Sequence, residues 1–159
     1  MDSKSPKKIL TLCIAVDDNR VLLGMKKRGF GVGRWNGFGG KLAPGETVEQ
    51  AARREMLEEA GVTIGKMEKL GLIEFEWQGN PEIHEVHLFK VHSFADNPIE
   101  TEEMKPQWFG FDEIPFHSMW ADDPLWFPLF LDNRTFKAYF LFAPGDRILD
   151  YTLTETDTF

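Results

Sequence analysis

A single cysteine, Cys13, leaves the chain of 159 residues without any possibility of an intrachain disulfide. Such thiol poverty fits a reducing compartment, and Cys13 itself sits in a strand-like apolar run that reads as core. No apolar run approaches the ~18 residues of a membrane-spanning helix, and the opening MDSKSPKK lacks the apolar stretch of a secretory signal. A soluble intracellular protein is expected, cytoplasmic, with mitochondria and nucleus as further compartments. Basic charge is also short: 18 Lys and Arg against 26 Asp and Glu give a net charge of −8. Following a nucleic-acid backbone depends on cations that neutralise phosphates, so a nucleic-acid polymer is excluded as a partner, as is a membrane. Internal repeats and low-complexity segments are absent too. What remains is a globular protein acting on something small.

At 42% apolar and 13% aromatic residues, the chain can bury one sizeable core but is too short for two ordinary domains. A single domain over 1–159 is expected, and a monomer, with an ordered core over about 9–154 and with the first eight and last five residues loose. Ile9 to Val16 and Arg20 to Met25 form β-rich runs around a hairpin at Asp17-Asp18-Asn19. The segment 29–41, GFGVGRWNGFGGK, is a loop whose glycines bring backbone amides close to a ligand. Thr47 followed by Gln50 makes a capping-box pattern and Gly61 a stop, so residues 48–60 are a helix. Met67 to Trp77 and Glu85 to Phe94 read as an antiparallel pair joined by GNPE. Trp108 to Phe111 is a short strand, Leu125 to Phe136 an apolar helix despite Pro128, and 140–142 and 148–153 closing strands. Strands mixed with two helices indicate an α/β (α+β) sandwich.

Within the first helix, Glu55, Glu58 and Glu59 crowd into five positions. Like charges at i, i+3 and i+4 destabilise a helix by about 0.2–0.5 kcal/mol per pair unless a cation sits among them. At 100° per residue, Val48, Ala51, Ala52, Glu55 and Glu59 share one side, with Glu58 at its edge and Leu57 pointing away. The acids therefore continue an apolar stripe, where a carboxylate is costly unless paired or metal-bound. Carboxylate oxygens suit Mg²⁺, which pairs a few of them with substrate phosphates. Lys26, Lys27, Arg28, Arg34 and Lys41 supply local positive charge around the glycine-rich loop. An ordinary solubilising acidic face is the competing reading of the glutamates taken alone.

The stretch GKLAPGETVEQAARREMLEEAGV, residues 40–62, decides between them. Gly40, Glu46, Arg54, Glu55, Glu58, Glu59, Gly61 and Val62 match the spaced pattern G-x5-E-x7-R-E-U-x-E-E-x-G-U, with Met56 a mild variant at the bulky position. The segment resembles the Nudix box, the signature of hydrolases that cleave nucleoside diphosphates linked to another group. The resemblance implies a mixed sheet between helices, with the box forming loop–helix–loop. It implies catalytic roles for Glu55, Glu58, Glu59 and Arg54, the last orienting Glu46 or a box carboxylate. It also implies a Mg²⁺ site, with Mn²⁺ as substitute, formed by Glu55, Glu58, Glu59, the Gly39 carbonyl and Glu103. One glutamate can instead serve as the base that takes a proton from water.

Beyond the box, VLLGMKKRGFGVGRWNGFGGK, MWADD, WFPL and ILDYTL resemble the branch of the family that hydrolyses oxidised purine nucleoside triphosphates. The activity so implied is Mg²⁺-dependent attack of water on the β-phosphorus of 8-oxo-dGTP, 2-hydroxy-dATP or O6-alkylated dGTP. The products are the monophosphate and pyrophosphate, and the nucleotide pool is cleared of damaged precursors. Substrate-binding residues on this resemblance are Thr11, Lys26, Phe30, Asn36, Phe38, Gly39, Gly40, Lys41, Phe75, Trp120, Asp122 and Asp123. Trp120 offers a flat face for a purine, Asn36 an amide that both donates and accepts, and the aspartates acceptors or, if one is protonated, a donor. Two positions depart from the resembled pattern: Ala121 where proline is expected and His84 where methionine is expected. His84, His87, His92 and His117 form no recognisable metal-ligand set. Two alternatives stay open. One is hydrolysis of ADP-ribose or a dinucleoside polyphosphate, the other a non-catalytic nucleotide-binding module, although no box glutamate is lost.

Overall fold

The structure, a computed structural model, describes residues 7–159. Along β1 (Lys7–Asp17) the side chains alternate between two cores: Leu12 and Ile14 face one, Cys13 and Ala15 the other. That alternation is what a strand covered on both faces requires. β1 turns through Asp18, in the left-handed region at φ 51°, into β2 (Arg20–Lys26), with Asp17 opposite Arg20. A two-residue β3 (Trp35–Asn36) and the helix α1 (Val48–Ala60) follow, then β4 (Thr63–Ile64), β5 (Met67–Trp77), β6 (Asn80–Val91), β7 (Phe94–Ala95) and β8 (Met104–Gly110). A 3₁₀ turn at Phe116–Ser118 precedes α2 (Asp123–Leu131), and β9 (Phe136–Ala143) and β10 (Arg147–Glu155) complete the chain.

The main sheet runs β10-β9-β5-β6-β1-β2-β3, with β8 also paired to β2, while β4 and β7 form a small second sheet. β1 lies parallel to β6 and β5 parallel to β9, whereas β5–β6, β1–β2 and β9–β10 are antiparallel. α1 closes one face with Ala52, Met56 and Ala60 around Phe38, and α2 closes the other with Trp126, Phe127 and Phe130. The mixed sheet between helices is therefore the α+β architecture read from the sequence.

The α1 ends are as expected: the capping box is complete in both directions, and Gly61, at φ 69°, donates its N–H to Leu57. Its buried side is Ala51, Ala52, Met56, Glu59 and Ala60, so the stripe is rotated toward Met56 from the expected one, and Leu57 is exposed. Other boundaries differ more. The expected GNPE turn is instead Gln78-Gly79, because Trp77 already pairs with Asn80; Pro81 falls in the irregularity of register where no ladder N–H is needed. The apolar run 125–136 is not one helix. Asn133 takes a left-handed φ of 56°, Arg134 donates to the Leu129 carbonyl, and Phe136 opens β9. β8 is longer than the expected 108–111 strand, pairing with β2 along its length. Of the eight residues expected to be loose, Lys7 and Lys8 belong to β1 and the first six lie outside the described residues. At the other end Glu155 is in β10 and Thr156 donates to the Thr135 carbonyl.

Candidate active site

The site begins with the strap that leads into the box. Cys13 and Phe38 exchange backbone hydrogen bonds of 2.6 and 2.8 Å, and Thr11 donates to the Gly40 carbonyl at 2.9 Å. This pairing presses the strap onto β1 so closely that a Cβ on Gly39 would lie 1.8 Å from the Thr11 carbonyl oxygen. Only glycine fits there. In an antiparallel ladder the N–H and C=O of one residue point to the same side, alternating along the strand. Phe38 and Gly40 face β1, so Gly39 faces away, and its N–H meets Glu59 Oε1 at 2.9 Å. The same alternation corrects one expectation: Phe38, opposite the core residue Cys13, is fully buried under α1 and does not reach the cavity.

The three glutamates have different surroundings. Glu59 is 7% exposed, and burial pushes its carboxyl up to about 7; the Gly39 N–H and Lys26 oppose the shift, and the charges of Glu55 and Glu103 add to it. Glu55 and the more exposed Glu58 accept from Arg54 Nη1 at 2.8 and 3.2 Å. Arg54 also grips Glu46 with two nitrogens, at 2.6 and 3.0 Å, and donates to the Lys41 carbonyl at 3.1 Å. The arginine thus ties the loop before α1 to two carboxylates on it. Glu103 lies across from the helix, held by Arg28 and 3.9 Å from Lys26. Among the described residues no three His, Cys, Asp or Glu side chains converge into a ready metal cage. Yet a buried carboxylate in the field of two others, with oxygen donors throughout, is an arrangement that a hard cation relieves.

Glu59 opens onto a cavity of about 820 Å³, within the range of small-molecule sites. Thr11, Lys26, Phe30, Asn36, Gly39, Gly40, Lys41, Phe75, Trp120, Asp122 and Asp123 all line it, whereas Arg54, Glu55, Glu58 and Glu103 stand outside its wall. Its apolar side is a run of aromatic rings: Trp120 to Phe142 at 6.4 Å, Phe142 to Trp77 at 5.8 Å, and Phe75 within 6.2 Å of both. Phe30, on the glycine-rich loop, stands 5.1 Å from Trp120 and is otherwise exposed.

Asp122 and Asp123 sit where α2 starts, each 2% exposed. Asp122 accepts from Trp126 Nε1 at 2.8 Å, but its Oδ1 and the Oδ2 of Asp123 are buried with no partner outside the pair. Burial raises both carboxyls above the ordinary range, Asp123 the more because the Asp122 charge adds to it. Adjacent buried acids cannot both ionise freely, so the pair holds a proton more tightly than free carboxyls do. Asn36, by contrast, uses its Oδ1 on the Gly37 N–H at 2.8 Å.

Several lining residues, Trp77, Phe142 and Asp146 among them, escaped the sequence reading of the site, and Arg34 entered it only as local positive charge. Trp77 and Phe142 look like ordinary core positions in a strand, and nothing in the sequence marks which core faces a void. Arg34 packs its guanidinium 3.9 Å over Trp120 and pairs with Asp146 at 3.1 Å. Asp146, in the β9–β10 turn, is 112 residues from its partner, a separation no local pattern reveals.

The NUDIX domain model matches residues 6–130. A protein of Danio rerio described as an oxidized purine nucleoside triphosphate hydrolase is 54% identical over 150 residues, 94% of this chain and 96% of that one. A Mus musculus protein of the same description is 50% identical over 98% of this chain and 99% of its own length. Among solved structures, a MutT protein from Bacillus halodurans superposes with a TM-score of 0.83 at 29% identity, covering 92% of this chain and 97% of that one.

Proposed function

This chain belongs to the Nudix family, and from that premise we propose that it hydrolyses oxidised purine nucleoside triphosphates to the monophosphate and pyrophosphate. The observation that carries the substrate class is the pair Asp122 and Asp123, buried with oxygens that no group outside the pair satisfies, in the wall of an aromatic slot that also holds box residue Glu59. An unpartnered buried polar atom is costly, and the edge of a purine resting on Trp120 satisfies it. A protonated member of the pair donates while the other oxygens accept, so both 8-oxo-guanine and 2-hydroxyadenine can be read. The two vertebrate relatives carry the same activity in their descriptions.

The oxygen donors fit Mg²⁺, with Mn²⁺ as substitute: Glu55, Glu58, Glu59, the Gly39 carbonyl and Glu103 would hold it. When bound, it supplies charge neutralisation and polarisation of the phosphoryl group. The chain's own groups do the rest. Lys26 and Lys41 bring positive charge to the phosphate end of the cavity. Arg54 holds Glu55 and Glu58 on the helix as it fixes the loop through Glu46. Glu59, the box glutamate that lines the cavity, is placed to take a proton from water. The protein acts as a single-domain monomer in the cytoplasm, and in mitochondria and nucleus. Among the described residues no helix is long and apolar enough to cross a membrane.

A hydrolysis panel with Mg²⁺ tests the reading, using oxidised and ordinary purine triphosphates, ADP-ribose and a diadenosine polyphosphate. Selective release of pyrophosphate from 8-oxo-dGTP and 2-hydroxy-dATP is expected. Preference for ADP-ribose or the diadenosine compound would overturn it.

A further inference from the structure

The aromatic wall does not end in an apolar residue. Trp77 is followed by His84, whose ring meets it edge-on at 4.9 Å. His84 lies on β6 opposite Phe75 of β5, so the two side chains stand on one face of the sheet, and both line the cavity. Among the described cavity residues it is the one imidazole. Two positions earlier on the same strand, Glu82 also lines the cavity, and its Oε1 lies 3.0 Å from His84 Nε2. Lys8 stands 3.8 Å from the same carboxylate. None of the resulting file Lys8, Glu82, His84 belongs to the box, although Lys8 also stands beside Lys41.

A carboxylate can only accept, so Nε2–H of His84 donates to Glu82, and Nδ1 is the ring atom left for a ligand. The aspartates adjoin the Trp120 end of the wall and His84 caps the Trp77 end. A ligand lying along the wall runs from the aspartates toward His84.

Building on the hydrolase reading above, we infer that His84 is a specificity-determining contact of the slot, accepting an N–H from the purine edge remote from Asp122 and Asp123. Glu82 is the positioning residue that fixes its tautomer. A methylated or hydrogen-free edge at that point loses the bond and leaves Nδ1 facing carbon, so the residue favours oxidised purines that retain the N–H over those alkylated there.

The test is a cycle between protein and ligand. It uses 8-oxo-dGTP and three analogues in which the 2-amino group, N1–H or N7–H is removed in turn. For each, kcat/KM is measured with the triphosphate and affinity by calorimetry with the monophosphate. In the unmodified protein one deletion is expected to cost about five- to tenfold, the size of one hydrogen bond. That same deletion costs less than twofold in His84→Met, and in His84→Leu should the first variant not fold. Glu82→Leu removes the tautomer's anchor and is expected to erase the coupling as well. Glu82→Gln, whose side-chain carbonyl still accepts from Nε2–H, keeps it, which a merely structural role for Glu82 would not explain. Equal losses in the unmodified protein and both His84 variants overturn the inference. Coupling in monophosphate binding without hydrolysis of any nucleotide would leave His84 in place and sink the hydrolase reading; absence of binding and hydrolysis alike would sink both.

Discussion

Glu59 and Asp123 are both acids taken out of water, and they differ in what answers the burial. Glu59 has a backbone N–H on one oxygen and other carboxylates nearby, the setting of a group that waits for a cation. Glu59→Gln keeps an acceptor for Gly39 and nearly the same volume, so the fold is expected to persist while kcat falls by about two orders of magnitude or more. Wild-type-like turnover of this variant at limiting Mg²⁺ would remove Glu59 from the metal site. Asp122 and Asp123 are instead raised by burial, Asp123 also by the Asp122 charge, so the pair binds a proton more tightly than free carboxyls do. A carboxyl raised by folding contributes stability that is complete below its unfolded value, 3.8 for aspartate, and that is lost as pH rises through the folded value. The Tm of the ligand-free protein is therefore expected to fall from about pH 4 toward neutrality, and Asp123→Asn to flatten that fall in calorimetry. The same proton predicts distinct pH profiles of kcat/KM for 8-oxo-dGTP and 2-hydroxy-dATP, and unequal changes in their ratio in Asp122→Asn and Asp123→Asn. Overlaid profiles and identical factors would end the idea of a shared proton.

At the scale of elements, α1 was legible because its signals are local: a capping box, a glycine stop and an acid pattern all lie within fifteen or so residues. α2 was not, because the apolar run 125–136 has the composition of one helix and is cut by backbone geometry at Asp132 and Asn133 that composition does not encode. The strap at 37–41 stands between these cases. Its glycines announce close approach, but only the ladder to β1 says which one is indispensable. Gly39→Ala drives a methyl into the Thr11 carbonyl of a strand that the strap pairs at the Thr11 N–H and at Cys13. It is expected to cost roughly 3 kcal/mol or more and to misplace the N–H that meets Glu59. Gly45, with open space at its Cβ position but φ of 79°, is the control: its alanine variant suffers backbone strain alone, about 1 kcal/mol. Denaturant midpoints of the two variants that came out equal would show the strap to be looser than drawn.

For the molecule as a whole, the proposed function draws the chemistry of phosphate and the recognition of base from opposite layers. The box helix lies on one face of the sheet and the start of α2 on the other, and the cavity runs between them past β1, β5, β6 and β9. The sequence disclosed the residues of each half because each is a compact run, the box at 40–62 and MWADD at 119–123. It concealed the wall that joins them, since Phe75, Trp77 and Phe142 become neighbours only through the parallel pairing of β5 with β9. That wall gives the protein an optical property. Of five tryptophans, Trp77, Trp120 and Trp126 border the cavity, while Trp35 and Trp108 rest against Phe109 and Phe94. Most of the intrinsic emission therefore originates beside the ligand, and a purine settling on Trp120 is expected to quench it without any label. Loss of that quenching in Trp120→Phe, with the emission of the other indoles retained, would make the protein's own light a gauge of occupancy.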